Sequence, residues 1–206
     1  MKILALADIH GHEYIEYMVD EIKSIESFDL VLIAGDITNF GPADVAKRII
    51  NSMPKSVFAV PGNCDPPEVI DAIEKSKGTN LHFKTEKFGG LSFAGVGGVS
   101  FGFNTGITFS EDRAYQYLSK CKGCVFLLHQ PPFGILDDVG GRHIGSEGIM
   151  KAVQKASPIL VVSGHVHEAR GYKLVNDTLF VNPGPAKEGY ASIIDLNSKD
   201  VRMLSL

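Results

Sequence analysis

The sequence predicts an α/β fold, a four-layer α/β/β/α sandwich of two mixed β-sheets flanked by helices. Two observations point there. In the N-terminal third, short and wholly apolar runs alternate with amphipathic stretches, the signature of right-handed crossovers and a parallel sheet. Beyond about residue 80 the pattern turns to hairpins and a β-rich tail. A second sheet packed face to face on the first, with helices outside, accommodates both halves.

Ile3 to Ala7 reads as a buried strand. Ile15, Met18, Val19, Ile22 and Ile25 then recur at helical spacing, which predicts an amphipathic helix over 13–26. Leu30 to Ala34 is the second strand, 43–52 a helix, and Val57 to Val60 the third strand. A helix over 67–76 follows. In 80–99, Gly89-Gly90 and Gly97-Gly98 read as hairpin turns between short apolar pieces. Residues 100–110, rich in Gly, Phe, Thr and Ser, read as a loop. A helix over 111–119 leads to the strand Val125 to Leu128, and a long loop over 130–145 has the length and the Pro and Gly content of a functional connection. A helix over 146–156 precedes the strand Ile159 to Ser163. The tail reads as antiparallel strands at Gly171–Val175, Leu179–Val181, Ala191–Asp195 and Val201–Leu204.

The chain has 206 residues, with no linker, repeat or low-complexity segment, so 1–206 is expected to be one domain. Apolar residues make up 44%, enough for a sizeable core. The net charge is −4 and no basic run occurs, which argues against general duplex-DNA binding. A nucleotide or small phosphate ester stays open, because bound metal supplies positive charge that a formal count omits. The first apolar run is cut at Asp8, too soon for a signal peptide or a membrane span. Three cysteines are too few, and odd in number, for a disulfide framework. A soluble, cytoplasmic protein is the expectation.

Metal-binding residues end several of these strands: Asp8-Ile9-His10, Gly35-Asp36, Gly62-Asn63-Cys64-Asp65, His129, and Gly164-His165-Val166-His167. Parallel strands ending on one sheet edge bring such loops together. The convergent oxygen and nitrogen donors suit two divalent cations sharing a carboxylate, an arrangement used to hydrolyse phosphate esters. Taken singly, His129 reads as an ordinary hydrogen-bonded histidine and Asp36 as a turn residue. Carboxylates and imidazoles at the ends of buried strands, however, need a reason to be there.

These five blocks, in this order over residues 8 to 167, resemble the calcineurin-like metallophosphoesterase superfamily and its metallo-dependent phosphatase fold. The resemblance implies one metal held by Asp8, His10, Asp36 and His167. It implies a second held by Asp36, Asn63, His129 and His165, with Asp36 bridging and a water shared by the two metals as nucleophile. Mixed oxygen and imidazole donors suit Mn²⁺, the metal expected first, and also Fe²⁺, Zn²⁺, Ni²⁺ or Co²⁺. Most of the superfamily has His after Gly-Asn, where it contacts the phosphoryl group or protonates the leaving oxygen and the next acid orients it. Here that position is Cys64, followed by Asp65. A thiol is a weak donor on a shorter side chain. This predicts a lean toward phosphodiesters with good leaving groups, unless Cys64 is simply an inert buried cysteine.

The stretch His129-Gln130-Pro131-Pro132-Phe133-Gly134, with Gly141-Arg142-His143-Ile144-Gly145-Ser146 after it, is similar to the Icc-related branch. That branch has Gly where Gln130 stands, so a narrower access is expected. The catalytic set expected from this resemblance is Asp36, Asn63, Cys64, Asp65 and His143. Arg142, His143 and Asn63 are expected to bind substrate, with His143 a candidate proton donor in place of Cys64. The plainer reading of Arg142 and His143 is a solvated arginine and a packing histidine.

Ser146 reads as a helix N-cap, His12 as a residue behind the metal ligands or, the favoured reading, simply exposed near the start of the first helix, while His82 and Asn182-Pro183-Gly184-Pro185 read as structural. Cys121-Lys122-Gly123-Cys124 lacks the second pair that a structural zinc needs. Phe101, Phe103 and Phe109 could stack on a base, cover the core or form a homodimer contact. A nuclease of the same superfamily and a non-catalytic interaction scaffold are the alternative functions. The acidic balance weighs against the first, and the intact ligand set against the second.

Overall fold

The computed structural model describes residues 1–12, 14–25, 27–101 and 106–206. The outermost residues of the first expected helix, 13 and 26, lie outside these, as does Phe103. The elements in chain order are β1 (Lys2–Leu6), α1 (Ile15–Ile25), β2 (Leu30–Ala34), α2 (Ala43–Ser52), β3 (Ser56–Val60), α3 (Glu68–Glu74), β4 (Gly78–Asn80), β5 (Thr85–Phe88) and β6 (Leu91–Val96). They continue with α4 (Glu111–Leu118), β7 (Val125–Leu128), β8 (Asp138–Val139), β9 (Arg142–His143), α5 (Glu147–Ala156), β10 (Leu160–Val162), β11 (Gly171–Val175), β12 (Thr178–Asn182), β13 (Tyr190–Asp195) and β14 (Asp200–Ser205).

Two six-stranded sheets result, in the orders β14-β13-β1-β2-β3-β4 and β11-β12-β10-β7-β6-β5. The first is parallel from β1 to β4 and the second from β6 to β12, with antiparallel strands at their margins. The wholly apolar strands follow from burial on both faces. Along β1, Leu4 and Leu6 pack outward against Ile15, Met18 and Val19 of α1, while Ile3 and Ala5 face inward. The inward set, with Leu32, Phe58 and Val60 of the first sheet and Phe93, Leu127, Val162 and Val181 of the second, forms the core between the sheets. A third core lies where Phe126, Leu128 and Val161 meet Ala114 and Leu118 of α4 and Ile149, Ala152 and Val153 of α5. Helix, sheet, sheet, helix: the four expected layers are present.

Helices α4 and α5 start where a serine oxygen satisfies a free N–H group. Ser110 Oγ accepts from Arg113 N at 3.2 Å, and Ser146 Oγ from Ile149 N at 3.1 Å.

Three local expectations fail. The tail is not purely antiparallel, since β12 runs parallel beside β10. Its Leu179-Phe180-Val181 core is buried on both faces, so it takes an interior place and leaves the edge to the largely exposed β11. Gly97-Gly98 is no hairpin turn; it lies where the chain after β3 presses on it. Gly98 N donates to Pro61 O at 2.8 Å, and a Cβ on Gly97 would overlap Pro61. The 130–145 stretch is not all loop, because β8 and β9 pair within it.

Candidate metal centre

The loops following β1, β2 and β3 of one sheet and β7 and β10 of the other meet at one end of the sandwich. Asp8, His10, Asp36 and His165 all have left-handed backbone, with φ of 52°, 52°, 49° and 67°. This is uncommon for non-glycine residues and persists only where surrounding contacts enforce it. Here Asp8 N donates to Gly35 O at 3.1 Å, His10 N to Asp36 O at 2.8 Å and Gly11 N to Ile37 O at 2.8 Å, stitching the first loop to the second. His129 N donates to Val96 O at 3.1 Å and Gly164 N to His129 O at 3.0 Å, stitching the loops of the other sheet.

Glycine precedes Asp36, Asn63 and His165 for a packing reason. A Cβ at Gly35 would run into the His129 ring, at Gly62 into the Asp36 carboxylate and backbone, and at Gly164 into Ala7 and the Asp8 carboxylate. Each glycine makes room for a donor from a neighbouring segment.

The side chains converge. His167 Nε2 lies 3.5 Å from Asp8 Oδ1, His10 Nε2 lies 3.8 Å from Asp36 Oδ2, and His129 Nε2 lies 3.5 Å from Asp36 Oδ1. The His10 and His167 rings stand edge to face at 5.9 Å, and those of His129 and His165 at 5.1 Å. Three overlapping sets, Asp8–His10–His167, His10–Asp36–Cys64 and Asp8–Asp36–His129, each bring their donor atoms within 4.8 Å of one another. His129 Nδ1 hydrogen-bonds Ala34 O at 2.9 Å, and its Nε2 lies 2.9 Å from Asn63 Oδ1. Asp8 also accepts from His165 N at 3.1 Å and Asp36 from Cys64 N at 2.7 Å.

The electrostatics follow from this crowding. Burial opposes ionisation of Asp8, but its hydrogen bond to His167 and the nearby imidazoles outweigh that and hold the carboxyl below its ordinary value. Burial pulls His129 down, yet Asp36 and Asp8 raise it overall, and the hydrogen bond to Asp8 raises His167. Burial lowers His10, and burial with the nearby His129 takes His165 down to about 4.

This donor set fits divalent cations. His10 Nε2 is buried without a hydrogen-bond partner, a costly state for a polar atom. Ala34 O can only accept, so His129 Nδ1 carries a proton and Nε2 is the nitrogen left to face the cluster, 2.9 Å from Asn63 Oδ1. In the neutral ring that Nε2 and the Asn63 oxygen are both donors of the kind a divalent cation takes.

The structure does not bring every expected residue into this cluster. Asp65 is fully buried, and its carboxylate accepts from Ile37 N, Thr38 N, Thr38 Oγ1 and Gly62 N at 2.7–3.0 Å. It clasps the β2 and β3 loops together, and among the described residues no hydrogen bond joins it to the Cys64 side chain. The Cys64 thiol does face the cluster, where burial and Asp36 push it up to about 12. Among the described residues, no hydrogen bond or ring contact joins Arg142 or His143 to the cluster. Arg142 is exposed. His143 Nδ1 pairs with Asp137 Oδ1 at 2.7 Å, and its ring lines a separate cavity of about 490 Å³ with Phe101 and Phe133. Phe109 is buried in the core instead.

Gln130 is fully buried and does not narrow the access. Its Oε1 accepts from Ser100 N and its Nε2 donates to Ile144 O, each at 2.8 Å. Sequence reasoning missed Asp137, whose carboxylate takes the N–H groups of Gly134 and Gly145 as well as His143 and so shapes the long loop. It also missed Lys187, whose backbone N–H lies 3.3 Å from Asp8 O. A carboxylate in a Gly-rich loop was a signal for the first; nothing local marked the second. Asn182 behaves as expected, donating to Val166 O at 2.8 Å and so bracing the His165–His167 segment. Cys121 and Cys124 are free thiols.

A family model described as calcineurin-like phosphoesterase matches residues 1–169. An uncharacterized protein of Methanocaldococcus jannaschii is 32% identical over 199 residues, covering 90% of this chain and 88% of its own. The crystal structure of TT1561 of Thermus thermophilus superposes with a TM-score of 0.79 at 18% identity, covering 99% of this chain and 98% of that one. The structure of an archaeal phosphodiesterase superposes at 0.61 with 21% identity, covering both chains in full. At these identities the two structures attest the fold. Among the described residues, no helix is long and apolar enough to cross a membrane.

Proposed function

Because the chain belongs to the calcineurin-like phosphoesterase family, we propose that it is a binuclear metal-dependent phosphoesterase acting on a small phosphodiester or nucleotide. One observation carries the binuclear reading: the Asp36 carboxylate faces two ways. Its Oδ2 points to His10 and its Oδ1 to His129. Asp8, His10, Asp36 and His167 form one donor set, and Asp36, Asn63, His129 and His165 the other. Two divalent cations, Mn²⁺ first among the candidates, would supply Lewis acidity that polarises phosphoryl oxygens and activates water.

The chain's own residues then divide the work. Asp36 spans the two sets, fixed by the Cys64 N–H. Ala34 O holds the His129 ring so that its Nε2 points inward. Asp8, held by His165 N and paired with His167, contributes negative charge on the other side. The Cys64 thiol is a weak donor on a short side chain and gives a leaving oxygen little help. That favours diesters with good leaving groups over monoesters. We read residues 1–206 as one domain, since strands from both halves share the core between the sheets. The free thiols fit a reducing compartment such as the cytoplasm.

The test is hydrolysis by metal-free protein reconstituted with Mn²⁺. Bis(p-nitrophenyl) phosphate is expected to turn over faster than p-nitrophenyl phosphate, and Asp36→Asn to abolish both turnover and the binding of a second metal equivalent. No turnover of either ester with two equivalents bound would overturn the reading.

A further inference from the structure

Beside the cluster lies a groove that none of the expected site residues lines. Its volume is about 270 Å³, and its walls include His12, Tyr14 and Tyr17 on one side and Lys187 on the other. Lys187 belongs to a short 3-10 turn, Ala186–Glu188, tied to the metal-site loop through Ala186 N to Ala7 O at 2.8 Å and Lys187 N to Asp8 O at 3.3 Å. The groove and the cluster therefore share a wall. The Lys187 ammonium makes no hydrogen bond or ion pair among the described residues, and its charge is felt at His10 and His167, where it disfavours protonation. A free cation at the edge of a phosphoesterase centre is positioned to take an anionic oxygen.

The opposite wall is aromatic and open. Tyr14 is 70% exposed and Tyr17 64%, with the His12 ring 5.3 Å from that of Tyr14. Tyr17 Oη donates to Glu21 Oε1 at 2.7 Å, placing a carboxylate at the rim beside the rings. Exposed rings next to an acceptor suit a flat group whose face is apolar and whose edge carries N–H donors. Nucleobases have that character, and they stack on aromatic side chains.

Resting on the phosphoesterase reading above, we propose that this groove is the subsite for the organic group of the substrate. That group is a nucleoside whose base lies against Tyr14 and Tyr17, with Lys187 holding a phosphate oxygen at the edge of the metal centre.

Calorimetric titration of the Mn²⁺-loaded protein with thymidine 5′-monophosphate tests this without requiring turnover. The wild type is expected to bind. Tyr14→Ala is expected to weaken binding about tenfold, the scale of one lost base stack. Lys187→Ala is expected to weaken it comparably, while Lys187→Arg retains most of it. Inorganic phosphate should lose affinity with Lys187→Ala far more than with Tyr14→Ala. Tyr172→Ala, which removes another exposed ring on β11, serves as the control and should bind as wild type. The proposal is overturned if the wild type does not bind the nucleotide, or if Tyr14→Ala binds as tightly as wild type. Failure of the phosphoesterase reading would look different: no ester hydrolysed, with nucleotide binding and its sensitivity to Tyr14 and Lys187 intact.

Discussion

The His129 ring, at the end of β7, hydrogen-bonds the carbonyl of Ala34, the last residue of β2, at 2.9 Å. One bond thus joins the two sheets and aims a candidate metal donor. His129→Ala would leave that buried carbonyl unpaired and remove the imidazole lying between Asp8 and Asp36. We expect the metal-free protein to lose about 1–3 kcal/mol, the cost of a buried group left unsatisfied. Urea titration of the chelator-treated protein measures it; an unchanged midpoint would show that the bond adds nothing.

Gly62→Ala should cost metal as well as stability, because its Cβ would displace Asp36. Gly90→Ala is the comparison. It sits in a turn with φ of 82° and nothing within 4 Å, so it should cost only about 1 kcal/mol of backbone strain. Metal analysis after dialysis is expected to show depletion in the first variant and full content in the second.

Asp65→Asn separates a clasp from a catalytic acid. The amide retains one acceptor oxygen and turns an NH₂ toward backbone N–H groups, losing charge-assisted bonds worth roughly 1.5–3 kcal/mol each. The thermal midpoint should fall by several degrees, while turnover per folded molecule stays close to wild type. Lost turnover with an unchanged melting curve would restore a catalytic role.

In the metal-free protein Cys64 should remain a neutral thiol between pH 7 and 10. Its ionisation is pushed up to about 12, chiefly by burial and then by Asp36, so the protonated form prevails below that pH. Thiolate absorbance of the metal-free protein, measured against Cys64→Ser, should show no difference between pH 7 and 10. Cys64→His, which supplies a stronger donor, is expected to raise monoester turnover relative to diester turnover.

Much of the fold was legible because period and burial agree. Leu30 to Ala34 and Val125 to Leu128 are wholly apolar and wholly buried, so their strand bounds match the sequence reading. The candidate metal-binding residues stood out in the sequence for the same reason: polar groups at the ends of such strands are conspicuous. What escaped the sequence depends on partners distant in the chain. Gly97 looks like a turn residue until Pro61 is seen against it. Asp65 carries no sequence mark of the clasp its carboxylate makes with Ile37, Thr38 and Gly62. Lys187 carries no motif, and it is the bonds of its turn to Ala7 O and Asp8 O that bring it to the site.

Gln130 has a consequence of another kind. Its single amide ties Ser100, just after the β6 segment, to Ile144, just after β9. Ser100 and Ile144 therefore cannot drift independently. An insertion at either point would break a buried amide contact unless the other were remodelled with it, so such changes would have to arrive in pairs rather than one at a time.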